Sequence, residues 1–138
     1  MFETFPHKAD IGVRAKAKSL EDAFCEAAKA LFSVMVELNN IKAKEEIEIS
    51  VSAEELDLLF VEWLNVLISE AALRNMLFSE FDVKIEKKNN IFMLKGKAKG
   101  EKINLDKHNI KTEVKAATYS ALKVEKNSVW LVQCILDV

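Results

Sequence analysis

The chain has 138 residues, half of them hydrophobic and 30% charged, with a formal net charge of −2. That size fits one domain with a sizeable core, and the near-balanced charge excludes a broad positive field for nucleic acid. Arg14 and Arg74 are the only arginines, so bidentate recognition of phosphate or guanine has few candidates. Three glycines and one proline leave little room for a disordered linker. The N-terminal MFETFPHKAD holds no apolar signal core, and no run approaches a membrane span. The expectation is a cytoplasmic protein with no membrane attachment. Cys25 and Cys134 each lie in an apolar run, as buried free thiols do.

From Ile11 to Lys18 the residues alternate, with Ile11, Val13, Ala15 and Ala17 on one face. That is a half-buried strand. Ser19 reads as a helix N-cap with Asp22 three residues on, and an apolar stripe from Ala23 to Met35 carries the helix towards Asn39-Asn40. Ile47, Ile49 and Val51 form a second strand. Ser52 and Glu55 then read as a capping box for a long helix, whose stripe runs from Leu56 through Phe60, Trp63, Leu64 and Leu67 to about Asn75. Phe81, Val83 and Ile85 alternate up to a turn at Asn89-Asn90, and Phe92, Leu94 and Ala98 return as a hairpin partner. Two more strands are expected around Glu113–Val124 and Val129–Asp137. The pattern is α+β, with two helices packed on a mainly antiparallel β-sheet and a single domain over 1–138. The expected core includes Trp63, Phe60, Leu64 and Trp130.

No phosphate-cradling glycine loop, nucleophile elbow, HExxH or paired CxxC is present, and two histidines do not make a structural zinc site. Five groups of polar residues stand out instead. Asp10 follows His7 just before the first alternating strand; it either caps a turn or offers a carboxylate at a strand mouth. Asp137 stands next to Val138, and with Val138 read as the last residue its α-carboxylate brings a second anion beside it. Such a pair is either a solvated end or a pair of hard-cation ligands. The segment Gly100–His108 is a polar stretch between strands that contains Glu101 and His108. Lys115 has Glu113 two residues before it, and is either a solvated lysine or a point-charge donor. Lys95, Lys97 and Lys99 share one strand face; such a row is solvated, protects a sheet edge, or touches RNA.

Several segments together resemble the archease family. They are His7-Lys8-Ala9-Asp10-Ile11-Gly12, Val61-Glu62-Trp63-Leu64-Asn65, Gly100-Glu101 followed by His108, Val114-Lys115-Ala116-Ala117-Thr118-Tyr119, and Ile135-Leu136-Asp137-Val138. Each is weak alone, but their order along the whole chain is specific. Lys8 stands where the family often has Thr, and Val138 where it often has Ile; neither change removes a ligand atom. The resemblance implies an accessory protein and no standalone enzyme: an activator of the GTP-dependent, tRNA-splicing RNA ligase of the RtcB family, promoting its guanylylation and turnover. It also implies a broader role as chaperone or modulator of RNA-processing proteins, with RNA contacted indirectly. By the same resemblance Asp10, Asp137 and Val138 are ligands of a divalent cation, Lys115 is the activating lysine, and His7, Glu101 and His108 are accessory residues. Oxygen donors favour calcium, with magnesium as the alternative. Two other classes stay open: a metal-dependent hydrolase using Asp10 and Asp137, and a simple RNA-binding module using the lysine row.

Overall fold

The computed structural model describes residues 1–138. Its strands are β1 (Phe2–His7), β2 (Asp10–Ala17), β3 (Glu45–Ala53), β4 (Met76–Lys88), β5 (Ile91–Lys102), β6 (Ala116–Ala117), β7 (Lys123–Lys126) and β8 (Trp130–Asp137). The helices are α1 (Leu20–Met35) and α2 (Leu56–Arg74), with a short 3-10 turn at Leu38–Asn40. The α+β class therefore holds, but in place of one sheet there are two. One contains β1-β2-β8-β6 with β7 also paired to β8, and the other is β3-β5-β4; every pairing is antiparallel. Both helices touch both sheets, so they form a middle layer. This is why the apolar face of α1 is broad, burying Ala23, Ala27, Ala30 and Val34 as well as Phe24, Leu31 and Phe32, with Asp22, Glu26 and Lys29 left on the narrower polar face.

Local chemistry sets most of the element ends. Ser19 caps α1 by accepting from the Asp22 N–H at 3.1 Å. The helix stops at Met35, short of the expected Asn39-Asn40, and the chain tightens into the 3-10 turn instead. The Ser52–Glu55 capping box is not formed: β3 runs through Ala53, and Glu55 is the N-cap without a side-chain bond. At the other end of α2, Asn75 adopts a left-handed conformation (φ 54) and turns the chain straight into β4. Asn89 and Asn90, both at positive φ, make the β4–β5 hairpin turn as expected.

The strands differ from the sequence reading in two places, one strand unread and one shortened. β1, an edge strand containing Pro6, was not anticipated, because Glu3, Thr4 and His7 break the apolar alternation. The strand expected over Glu113–Val124 is reduced to Ala116–Ala117 and Lys123–Lys126, with a tight turn between them. The lysine row lies on β5, the central strand of its sheet, so it protects no edge. Lys97 and Lys99 both reach the Glu46 carboxylate, at 3.7 and 3.9 Å.

The core runs through all three layers. Trp63, Phe60 and Leu64 are fully buried, and the Trp63 indole N–H donates to the Phe24 carbonyl at 3.0 Å. Trp63 meets Phe81 edge-on, and Phe32 packs against both Phe78 and Phe81. Trp130 corrects its expected place: it is only partly buried, at the rim of the core under Lys126. Gly100 admits no side chain, since a Cβ there would lie 1.8 Å from the Leu77 carbonyl oxygen, beside the register shift in β4. No helix is long and apolar enough to cross a membrane.

Candidate functional site

β2 starts at Asp10 and β8 ends at Asp137, and these strands are antiparallel neighbours. Their last ladder rung is Ile11 with Leu136, so Asp10 and Asp137 fall on the position beyond it. Side chains alternate along a strand, and opposite residues of a ladder share a face. Val13, Ala15, Val132, Cys134 and Leu136 point into the core. Asp10 and Asp137 therefore share the outer face with Gly12, Arg14, Gln133 and Ile135. The Arg14 guanidinium confirms that face, bonding Gln133 at 2.7 Å and Glu3 at 2.8 Å while lying 4.4 Å over the Phe5 ring. His7 is paired with Asp10 across the β1–β2 turn, so it joins the same row. Lys8 in that turn carries a positive φ of 56.

The Val138 N–H donates to Asp10 Oδ1 across a long 3.4 Å, joining residues 128 positions apart. Neither aspartate has an ion-pair partner. Two neighbouring carboxylates with open lone pairs fit a hard cation by the chemistry of the donors. Nowhere do three or more His, Cys, Asp or Glu side chains gather in a group that could hold a metal ion, and a donor pair of two carboxylates without thiolate is unlike a closed zinc site. Any cation held by Asp10, Asp137 and the Val138 main chain would need water or a partner's oxygens to complete its shell.

Lys115 arrives from the other side of β8. Its backbone N–H donates to the Asp137 carbonyl at 2.8 Å, and Ala116 pairs with Asp137. The Lys115 side chain is exposed and makes no ion pair, and it lies ahead of β6 in coil, so Glu113 shares no strand face with it. The turn after β6 is firmly built: Thr118 bonds the Ile135 carbonyl through its N–H (2.9 Å) and its hydroxyl (2.8 Å), and Gln133 donates to the Ala121 carbonyl at 2.9 Å. It presents Tyr119 with 61% of its surface exposed.

Asn65 had no role assigned from the sequence. It accepts from the Ala117 N–H at 2.8 Å and donates to the Ala117 carbonyl at 3.2 Å, serving β6 as a one-residue strand neighbour. An amide inside an otherwise apolar helical stripe was the signal for it.

Glu101 and His108 lie elsewhere, away from the two aspartates in the fold. Glu101 is 6% exposed and His108 1%. Glu101 Oε2 accepts from the Lys42 N–H (2.8 Å), Lys107 Nζ (2.6 Å) and His108 Nε2 (3.0 Å), while Lys44 Nζ stands 3.6 Å from Oε1. Burial pushes the Glu101 carboxyl up, but the donors from Lys107, Lys42 and His108 outweigh it and hold the group at about 2. The thiols are free, and burial pushes both Cys25 and Cys134 up to about 12, which leaves them poor nucleophiles.

Comparison with known proteins gives a consistent answer. The sequence profile of the Archease protein family matches residues 2–138. The chain is 40% identical to the protein archease of Pyrococcus furiosus and 41% identical to that of Pyrococcus abyssi, covering 99% of this chain and 98% of each relative. The solution structure of Methanobacterium thermoautotrophicum protein 1598 superposes with a TM-score of 0.88 at 34% identity, over 99% of this chain and 98% of that one. A crystal structure of a Thermotoga maritima archease, described as a possible chaperone, shares the fold at 24% identity with a TM-score of 0.57, over 99% of this chain and 96% of that one. The chain belongs to the archease family.

Proposed function

We propose that this protein is a cation-binding accessory factor that activates the GTP-dependent, tRNA-splicing RNA ligase of the RtcB family. In this reading Asp10, Asp137 and Val138 hold a divalent cation, calcium by preference, and Lys115 is the activating lysine. What carries it is the convergence of Asp10 and Asp137 on one face of adjacent strands, with Lys115 tied to the Asp137 main chain. Family membership supports the accessory role.

Bound calcium would neutralise the two carboxylates and offer a centre for oxygen-rich groups of the partner. Asp10 and Asp137 fix the donors on strand ends, where main-chain ladders limit their motion. Lys115 keeps its ammonium in water at the rim, free to meet a phosphate or carboxylate on the ligase. His7, next to Asp10, borders the same row.

The test is ligase guanylylation with GTP, in the presence and absence of this protein. Wild type should stimulate it, and Asp10→Asn, Asp137→Asn and Lys115→Ala should each lose most of the effect. Calorimetric titration of calcium into wild type and Asp137→Asn checks the cation separately. Equal heats would sink the proposed ligand set.

A further inference from the structure

Residues 103–115 join β5 to β6 without a helix or strand of their own. A stretch that long inside a compact fold usually loosens or has a task. Here it is tied down along its length. The Ile103 N–H donates to the Asn75 carbonyl (2.9 Å), the Lys111 N–H to the Met35 carbonyl (2.7 Å), and the Lys115 N–H to the Asp137 carbonyl (2.8 Å). Between the first two ties lies the Glu101–His108 hub. His108 Nδ1 accepts from the Asn104 N–H at 2.9 Å, which leaves the ring proton on Nε2, 3.0 Å from Glu101 Oε2 and 3.1 Å from the Asn40 carbonyl. One buried carboxylate thus grips the turn 104–108 through two side chains, and the approach to β3 through the Lys42 N–H.

A buried charge is a weak device for stability, because an apolar filling of similar volume does as well. What it does well is select one arrangement, since every other leaves the carboxylate without donors. The arrangement selected here is the path of the segment that ends at Lys115. Only Val114, among residues 109–115, is buried in the core. Without the hub, residues 109–115 would be held by the backbone bonds at Lys111 and Lys115, the exposed Lys111–Glu37 ion pair and the buried Val114 side chain.

We propose that Glu101 and His108 are positioning residues: they lock residues 103–115 as a strap that holds Lys115 against the Asp137 main chain and so shapes the cation site. This rests on the reading of Asp10, Asp137, Val138 and Lys115 as the working site. Both residues are buried, and in this proposal they act through the strap and supply no ligand atom themselves.

The test compares wild type, Glu101→Gln, His108→Leu, His108→Gln and Lys107→Ala by backbone amide exchange and by calorimetric titration with calcium alone. Exchange at Lys115 is read against exchange at Val13 in the core strand β2, because general destabilisation speeds both alike. Glu101→Gln and His108→Leu should speed Lys115 relative to Val13. They should also weaken calcium binding about tenfold, the usual effect of losing a group that supports a ligand. His108→Gln, which retains an N–H donor towards Glu101, should recover much of both. Lys107→Ala removes a partly exposed donor, should fold normally, and gives the same reading if Glu101→Gln fails to fold. Lys115 and Val13 moving together, or unchanged calcium affinity in the folded variants, would overturn the strap. If wild type takes up no calcium, the cation reading fails, and the Lys115 to Val13 ratio alone decides the inference.

Discussion

Replacing Glu101 by glutamine keeps its size and removes its charge, and the effect should depend on pH in a calculable way. Burial pushes this carboxyl up, but hydrogen bonds from Lys107, the Lys42 N–H and His108 hold it at about 2, against an ordinary 4.5. A carboxyl held low when folded contributes its full stability above pH 4.5. That contribution is lost as the pH falls from 4.5 towards 2, because the unfolded chain takes up the proton first. Each pH unit of that gap is worth about 1.4 kcal/mol, so the ceiling is about 3 kcal/mol. Lys44 and Lys107 are partly exposed, and solvent screening lowers the expectation to about 2–3 kcal/mol. Glutamine cannot ionise, so Glu101→Gln should cost about that much at pH 7 and less than roughly half of it at pH 3. Urea denaturation of both proteins at stepped pH, with matched m-values, measures the difference directly. A penalty that stays constant from pH 7 to pH 3 would refute the argument, and would mean that shape and not charge holds the hub.

Trp63→Ala should cost about 3–5 kcal/mol, as large aromatic truncations in a packed core do. Trp130→Ala should cost clearly less, because Trp130 sits at the rim; equal losses in denaturant melts would show the burial assignment wrong. Lys115→Ala should keep its stability within ~0.5 kcal/mol while stimulation of ligase guanylylation falls, and a folded variant with full stimulation would remove Lys115 from the site. Calcium at a hundredfold excess over its dissociation constant should add ~2.7 kcal/mol to wild type and nothing to Asp137→Asn, read as the shift in melting temperature on adding and then chelating the ion.

What was legible in the sequence was mostly local. The alternation of β2, the Ser19 cap and the paired asparagines of the β4–β5 turn each act over a few residues, and each appears as read. The second sheet was not legible, because periodicity says which face of a strand is buried and not which neighbour it meets. The helices carried a hint in the small residues that fill the far side of α1, Ala23, Ala27 and Ala30, which only a second layer explains. β1 escaped notice because an edge strand with Pro6 contributes little to the core beyond Phe2. Asp10, Asp137, Val138 and Lys115 were singled out as oddities and by family resemblance, and the fold does bring them to one end of one sheet. Glu101 and His108 looked like parts of a polar loop. Their burial depends on Asn40, Lys42 and Asn104, three positions that no spacing rule connects.

The division of labour at the site follows from how each residue is held. β8 is flanked by β2 on one side and by β6 and β7 on the other, so Asp137 stands at the end of the most thoroughly paired strand of its sheet. Asp10 opens β2, whose ladder with β8 is unbroken from Ala17 to Ile11. The two carboxylates are thereby set by main-chain pairing, which tolerates their mutual repulsion because many rungs would have to break before they could separate. Lys115 has no such ladder. It hangs on one backbone bond to Asp137, on a two-residue strand stitched to α2 by Asn65, and on the strap that the Glu101–His108 hub locks. The acids are thus fixed by their own sheet, and the lysine by local bonds together with a polar network rooted in the other sheet. Changes at Glu101 or His108 therefore act on the lysine first and on the acids only through the Asp137 carbonyl, whereas changes in β2 or β8 act on the acids directly.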